Sequence, residues 1–190
     1  MSLGLFLLYT IASTLLWCGF IWVYNWIFDW TEWVPGINLV YFPHGLRMIL
    51  VILFAEAGTV GIILGTALMG LDLLRTNPSL GLAQSLVAGA AVWMAARMVL
   101  KRSDRLSNRP QTSISAATLD GRSLMLLAFA SSVLNASGHV LASRLFEAEA
   151  DQFEVRFATM FTGDLLGAVI LLYALRSLIL LIDRGFTRRP

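Results

Sequence analysis

Long apolar stretches alternate with short polar segments along the chain. The apolar stretches cover residues 3–24, 46–71, 79–100, 123–142 and 158–182. A transmembrane helix needs roughly 20 mostly apolar residues, so each stretch is long enough to cross a bilayer. The hydrophobic pattern therefore predicts a bundle of transmembrane helices joined by short loops.

The second stretch, 46–71, is interrupted by Glu56 and Gly58, so it contains either one long helix or two helices that meet near residues 56–59. With two helices, the main basic clusters fall on the same side of the membrane as the N-terminus, which the positive-inside rule makes cytoplasmic. These clusters contain Lys101, Arg102, Arg105, Arg109, Arg122, Arg184, Arg188 and Arg189. We therefore predict an all-α polytopic bundle of about six transmembrane helices, with both termini in the cytoplasm.

The composition agrees with a membrane protein, since 57% of the 190 residues are hydrophobic and only 14% are charged. The mean hydropathy is +0.73. We expect a single transmembrane domain over 1–190, with four helices in 1–100, a polar cytoplasmic linker at 101–120 and two helices in 121–190. The predicted location is a bacterial inner membrane, where the lipid bilayer surrounds the chain and no nucleic acid is bound.

No residue pattern predicts catalysis or a metal site. Cys18 is the single cysteine, which excludes an internal disulfide and a site with several cysteine ligands. The sequence contains no His-Glu-x-x-His motif, glycine-rich phosphate loop or recognisable catalytic triad. We therefore predict a protein that is not an enzyme.

Four tryptophans lie at and beyond the end of the first apolar stretch, in or next to the segment 24–42. Trp22, Trp26, Trp30 and Trp33 recur every three or four residues, which is the spacing of one helix face. Such a face predicts an external anchor at the membrane interface. A docking surface for a lipid or a partner protein is the alternative.

Small residues recur at four-residue spacing in the fourth predicted helix. Gly81, Ser85 and Gly89 would lie on one face and allow a second backbone to approach closely. The favoured neighbour is another helix of the same chain, and a second subunit is the alternative. A membrane-protein partner is expected in either case.

Polar side chains at membrane depth predict a binding site, because ionisable groups there are costly and need a partner or a water-filled cavity. The candidates in the outer half of the predicted bundle are His44, Arg47, Asn135, His139 and Asp164. Arg47 and Asp164 are expected to meet, neutralise each other and form the floor of an external pocket for a small polar ligand. A purely structural Arg47–Asp164 pair is the alternative. Glu56, Arg97 and Arg176 are predicted near the inner ends, where they can reach water.

The two histidines raise one further possibility. A b-type haem needs two imidazoles that face each other across a bundle, and His44 and His139 lie on different predicted helices. Haem is thus the alternative to a protein with no cofactor.

Two segments resemble a known family. Residues 41–47 (YFPHGLR), followed by 58–70, and residues 161–167 (FTGDLLG) are similar to motifs of bacterial membrane-associated sensor domains of the MASE type. The resemblance implies a sensory membrane domain that works with a signalling output such as a kinase or diguanylate cyclase.

The predicted architecture also resembles the substrate-binding S subunits of energy-coupling-factor transporters, which implies uptake of a small nutrient and docking on an energising subunit. Our leading functional hypothesis is therefore a small-ligand-binding membrane module, either sensor-like or S-subunit-like. A structural or accessory subunit of a larger membrane complex is the first alternative, and a haem-bearing electron carrier is the second.

Overall fold

The computed structural model describes residues 1–28, 32–34, 37–107, 121–146 and 152–187. These residues form a helical bundle with one short antiparallel ribbon, and this architecture confirms the predicted all-α class. The helices are α1 (Leu3–Phe28), α2 (Phe42–Met69), α3 (Leu71–Thr76), α4 (Pro78–Ser107), α5 (Gly121–Phe146) and α6 (Phe153–Thr187). The ribbon pairs β1 (Glu32–Val34) with β2 (Ile37–Asn38).

Five of the described helices have the length and composition of a membrane span: α1, α4, α5 and α6, and also α2 when its 28 residues are counted together. Many large apolar side chains on these helices are exposed, as on the outward side of α1, where Leu15 and Leu16 lie. Such a surface is stable in lipid, so the chain is a multi-pass integral membrane protein.

Helix α2 reverses direction at Ala55. This residue has φ 49° and ψ −122°, which is not helical. A Cβ added to Gly58 would lie 2.3 Å from the carbonyl oxygen of Leu50. In a straight helix these two residues would be about 12 Å apart, so the two arms of α2, 42–54 and 56–69, fold back on each other. The prediction that two helices meet near Glu56 is confirmed.

Helix α1 packs against both arms of α2. Along the first arm, the Tyr24 ring meets the Phe42 ring edge to face, and Tyr9 stacks on Phe54, so this arm is antiparallel to α1. Along the second arm, the Thr14 hydroxyl donates to the Gly61 carbonyl oxygen and the Cys18 thiol donates to that of Gly65. Residue numbers rise together in these two pairs, so the second arm is parallel to α1.

The remaining long helices also run in alternating directions across the bundle. Glu56 in the second arm pairs with Arg97 of α4. At the other end of the bundle, the Asn77 amide before α4 donates to the Phe146 carbonyl oxygen of α5 over 2.7 Å. We call the end with the ribbon, Phe28 and Phe146 the ribbon face. The opposite end, with Leu3, Ala55 and Thr187, is the terminal face, and both described ends of the chain lie there.

Small residues allow the helices of the core to approach closely. A Cβ on Gly89 would lie 2.6 Å from Ile63 and 2.8 Å from the Thr59 carbonyl oxygen, while one on Gly81 would lie 2.8 Å from Leu74. Ser85, one turn from each glycine, is buried and donates to the Gly81 carbonyl oxygen. This face of α4 therefore packs against α2 and α3 of the same chain.

Two helices extend beyond their apolar stretches, which corrects the predicted boundaries. Helix α1 continues through Phe28, and α4 continues through Ser107 into the predicted linker, because backbone hydrogen bonding does not stop where side chains become polar. Trp22 and Trp26 thus belong to α1 and are 67% and 80% exposed on its surface. Trp30 lies outside the described residues, as does the side chain of Trp33.

Candidate functional site

The two segments that carry the sensor-domain resemblance, 41–47 and 161–167, contact each other at the ribbon face. The Tyr41 backbone N–H donates to the Gly163 carbonyl oxygen over 2.9 Å. A Cβ on Gly163 would lie 2.2 Å from the Asn38 carbonyl oxygen, and one on Gly167 would lie 2.1 Å from that of Tyr41. Only glycine permits this approach of α6 to the start of α2, and it brings Asp164 next to the first turn of α2.

His44 lies in that first turn and is completely buried. Its Nε2 is 2.9 Å from the Ser131 hydroxyl of α5. Because that hydroxyl donates to the Ala128 carbonyl oxygen, it accepts a hydrogen bond from Nε2. The other ring nitrogen, Nδ1, faces Asp164 Oδ2 at 3.6 Å. His44 therefore joins α2, α5 and α6 beneath the ribbon face.

Asn135 bridges Arg47 and Asp164. Its side-chain oxygen accepts a hydrogen bond from the Arg47 guanidinium over 3.0 Å, and its amide group donates to Asp164 Oδ2 over 2.7 Å. Among the described residues, Arg47 and Asp164 make no direct ion pair, which corrects the expected contact. The physical reason is that one amide supplies both an acceptor for the cation and a donor for the carboxylate.

Aromatic rings surround the guanidinium of Arg47. Its central carbon is 4.8 Å from the Trp17 ring centroid and 5.5 Å from that of Tyr41, which are cation–π distances. The Arg47 residue is only 4% exposed. Its Nε has no hydrogen-bond partner among the described residues. Arg47 is thus in contact with two aromatic rings, and its Nε–H is unpaired within the described part of the chain.

A cavity of about 310 Å³ lies next to this network. Four of the five predicted ligand residues line it, Arg47, Asn135, His139 and Asp164, and the fifth, His44, contacts Asp164 from below. The other residues of the lining are Asn38, Tyr41, Leu73, Leu80, Gln84, Val140, Ser143, Arg156 and Met160. Several of these belong to elements that begin or end at the ribbon face, so the cavity lies at that end of the bundle.

Helix α5 contributes a polar stripe that was only partly predicted. Ser131, Asn135, His139 and Ser143 follow one another at intervals of four residues, which places them on one helix face. Only Asn135 and His139 were singled out from the sequence, although the spacing would have identified both serines. Arg156, Trp17 and Tyr41 were missed as site residues, and their positions depend on tertiary packing that the sequence pattern does not encode.

The remaining predicted polar residues lie away from the cavity. Glu56 and Arg97 form an ion pair towards the terminal face, and both side chains are about half exposed. The Arg97 guanidinium lies 5.1 Å from the Trp93 ring centroid. The side chain of Arg176 lies outside the described residues.

Of the two candidate haem ligands, His139 lines the cavity and His44 contacts Asp164 beside it. Both ring nitrogens of His44 face protein groups, Ser131 and Asp164, and the residue is completely buried. Nε2 is within hydrogen-bond distance of Ser131, whereas Nδ1, 3.6 Å from the Asp164 carboxylate, makes no hydrogen bond within the described residues. Within the described residues, no group of three or more histidine, cysteine, aspartate or glutamate side chains is arranged to hold a metal ion.

Comparison with family models, with curated proteins and with solved structures gives no match to this chain. The resemblances to sensor domains and to transporter S subunits therefore enter the functional argument only as hypotheses, beside the geometry of the cavity.

Proposed function

We propose that this integral membrane protein is a small-ligand-binding module and that the ribbon-face cavity is its site. The observation that carries the proposal is that the buried network of Arg47, Asn135 and Asp164 borders a cavity. A network that only pinned helices together would not need a cavity beside it. Ionisable side chains at membrane depth are costly, and where they line a cavity they mark a substrate or ion pathway by default.

The cavity has the size and lining of a small-molecule site. Its volume of about 310 Å³ is at the lower end of the roughly 300–1,000 Å³ typical of ligand pockets. Its wall combines apolar side chains such as Leu80 and Met160 with convergent polar groups such as Gln84 and His139. Apolar walls supply affinity and a few placed polar groups fix orientation, so this lining suits a small, partly polar molecule.

The charge distribution supports an external opening. Lys101 and Arg102 near the end of α4, and Arg122 at the start of α5, all lie towards the terminal face. By the positive-inside rule this face is cytoplasmic, which leaves the ribbon face outside. In a bacterial inner membrane, the cavity would then receive its ligand from the periplasmic or external side.

Sensing and uptake are two versions of this proposal. The contact between segments 41–47 and 161–167 builds one wall of the cavity from the residues that resemble sensor domains, which supports sensing. A neighbouring gene for a kinase or cyclase would favour this version. Neighbouring genes for ATPases and an energising membrane subunit would favour uptake and an S-subunit role.

The proposal is tested by screening small polar molecules, including acids, amines, amides and sugars, for thermal stabilisation of the protein in nanodiscs. Gln84→Trp places a large side chain at the cavity, whereas Leu86→Trp changes the exposed, lipid-facing side of the same helix. We expect compounds that stabilise the wild type and Leu86→Trp but not Gln84→Trp. If no compound does this, the cavity is not a ligand site.

A further inference from the structure

We propose that His44 and Asp164 form a buried proton-binding site, in which one proton is held between Nδ1 of the imidazole and Oδ2 of the carboxylate. The proton exchanges through the ribbon-face cavity, because Asp164 lines that cavity. The proposal follows from the hydrogen-bonding roles of the two facing atoms and needs no small-molecule ligand. It therefore goes beyond the proposed binding function.

The hydrogen bonds of His44 leave its Nδ1 as an acceptor. The Ser131 hydroxyl donates to the Ala128 carbonyl oxygen over 3.1 Å, so a neutral imidazole carries its proton on Nε2 and donates it to that hydroxyl over 2.9 Å. The other nitrogen of a neutral imidazole has only a lone pair. Nδ1 is buried, and it has no hydrogen-bond partner within the described part of the chain.

The atom that faces this lone pair is also an acceptor. Asp164 Oδ2 lies 3.6 Å from Nδ1, and the exposed fractions of the two side chains are only 0% for His44 and 2% for Asp164. An ionised carboxylate offers no donor, so two acceptors face each other in a buried place. One proton and an approach of about 0.5 Å would convert this contact into a hydrogen bond. Because a buried acceptor without a partner is costly, the geometry favours uptake of that proton.

The surrounding charges act against uptake and keep it reversible. The charged and titratable groups around the pair are Tyr41 and Arg47 at the start of α2, His139 of α5 and Arg156 of α6. The Tyr41 hydroxyl hydrogen-bonds with the Arg47 guanidinium. Arg47 favours the ionised form of Asp164, to which Asn135 connects it. The carboxylate is thus favoured by Arg47, and the protonated pair is favoured by the unpaired Nδ1.

Protonation changes the charge of the cavity wall. Without the proton, the Asp164 carboxylate balances the Arg47 guanidinium through the amide of Asn135. With the proton, Asp164 is either neutral or paired with an imidazolium, so the network carries one more positive charge. A ligand that contacts Asp164 in the cavity and the bound proton would then change each other's affinity by the same factor.

The test follows the imidazole nitrogens by NMR, in protein that contains isotope-labelled histidine and is held in nanodiscs without added ligand. The titration runs from about pH 5 to about pH 9, a range in which buried carboxyl groups release protons. The chain has two histidines, so His139→Gln assigns the signals of His44. As the pH falls, we expect the Nδ1 signal to move from the position of a free acceptor to that of a hydrogen-bonded or protonated nitrogen, while Nε2 stays protonated.

Asp164→Asn is the matched variant, because a carboxamide is close in shape to a protonated carboxyl group and does not titrate. The Nδ1 signal should no longer move with pH in this variant. Infrared spectra locate the proton: a protonated-carboxyl band that appears at low pH and is lost in Asp164→Asn places it on Oδ2. Asp72→Asn should keep that band, since the Asp72 side chain is 99% exposed. An imidazolium without the band places the proton on Nδ1 of the same pair.

Three results would overturn the proton site. The first is an Nδ1 signal that stays constant in the wild type across the titration. The second is a signal that moves equally in the wild type and in Asp164→Asn, and if that variant does not fold, the wild-type titration and its infrared band decide alone. The third is a neutral His44 with its proton on Nδ1, in which the Ser131 hydroxyl donates to Nε2. None of these results depends on the ligand screen with Gln84→Trp, so the proposed function is tested separately.

Discussion

The side-chain amide of Asn135 donates a hydrogen bond to the Asp164 carboxylate over 2.7 Å. The same amide accepts a hydrogen bond from Arg47, so one neutral residue of α5 connects a cation of α2 to an anion of α6. The three helices that meet at the candidate site are therefore joined through a single side chain.

Replacing Asn135 with leucine should destabilise the protein substantially. Both charged neighbours would lose a buried hydrogen bond, and each unsatisfied group costs roughly 1–3 kcal/mol or more. Ser132→Ala is the matched control, because Ser132 is the buried neighbour of Ser131 on α5 and its hydroxyl has no partner among the described residues. Equal unfolding free energies for the two variants in detergent micelles would show that Asn135 does not bridge the pair.

Arg47 and Asp164 should be energetically coupled although they do not touch. Arg47→Met or Asp164→Leu alone leaves the other charge buried, whereas the double variant removes both charges. The double-mutant cycle should therefore give a coupling energy of roughly 0.5–3 kcal/mol in the free energy of unfolding. Strict additivity of the two single effects would contradict the network.

Gly167→Ala should disrupt the contact between α6 and the start of α2. The added Cβ would lie 2.1 Å from the Tyr41 carbonyl oxygen, so a backbone must move, at a cost of roughly 1–3 kcal/mol. Gly19→Ala in α1 is the control, since nothing lies within 4 Å of its added Cβ. Alanine there should leave stability unchanged or raise it by up to about 1 kcal/mol. Thermal unfolding of both variants decides whether α6 approaches this closely.

Ala55→Gly should stabilise the protein or leave it unchanged. Ala55 has φ 49°, a backbone conformation that glycine adopts without the steric cost of a Cβ. Ala67→Gly, in the regular second arm of α2, should instead cost about 1 kcal/mol. If both substitutions destabilised the protein equally in the same unfolding assay, α2 would continue through Ala55 as an ordinary helix.

Much of the fold follows from the sequence because lipid exposure leaves a strong periodic signal. The apolar stretches located the spans. Glu56 and Gly58 marked a possible break in the second stretch, and the positive-inside rule, applied to the basic clusters, favoured two helices there. Backbone hydrogen bonding extends α1 and α4 past the last apolar residues, so the apolar pattern placed their ends too early.

The candidate site could be predicted as a set of residues but not as a network. His44, Arg47, Asn135, His139 and Asp164 stand out because polar groups are rare at membrane depth. Their pairing depends on the rotation of α5 about its axis and on the glycine contacts that set the distance between α6 and α2. No local pattern encodes these quantities, so the bridging role of Asn135 required the three-dimensional arrangement.

We expect the cavity beside Arg47 to be open to water on the ribbon face. Gln84→Cys introduces a thiol into the cavity lining, and Leu86→Cys introduces one on the exposed apolar side of α4. Both are made with Cys18→Ser, which retains a donor to the Gly65 carbonyl oxygen. Thiols react as thiolates, which form in water and are disfavoured in lipid.

The direct measurement is modification by a charged, membrane-impermeant methanethiosulfonate in intact cells and in inside-out vesicles. We expect rapid modification of Gln84→Cys in intact cells, with Leu86→Cys unmodified in both preparations. Modification of Gln84→Cys only in inside-out vesicles, or in neither preparation, would contradict an external water-filled site.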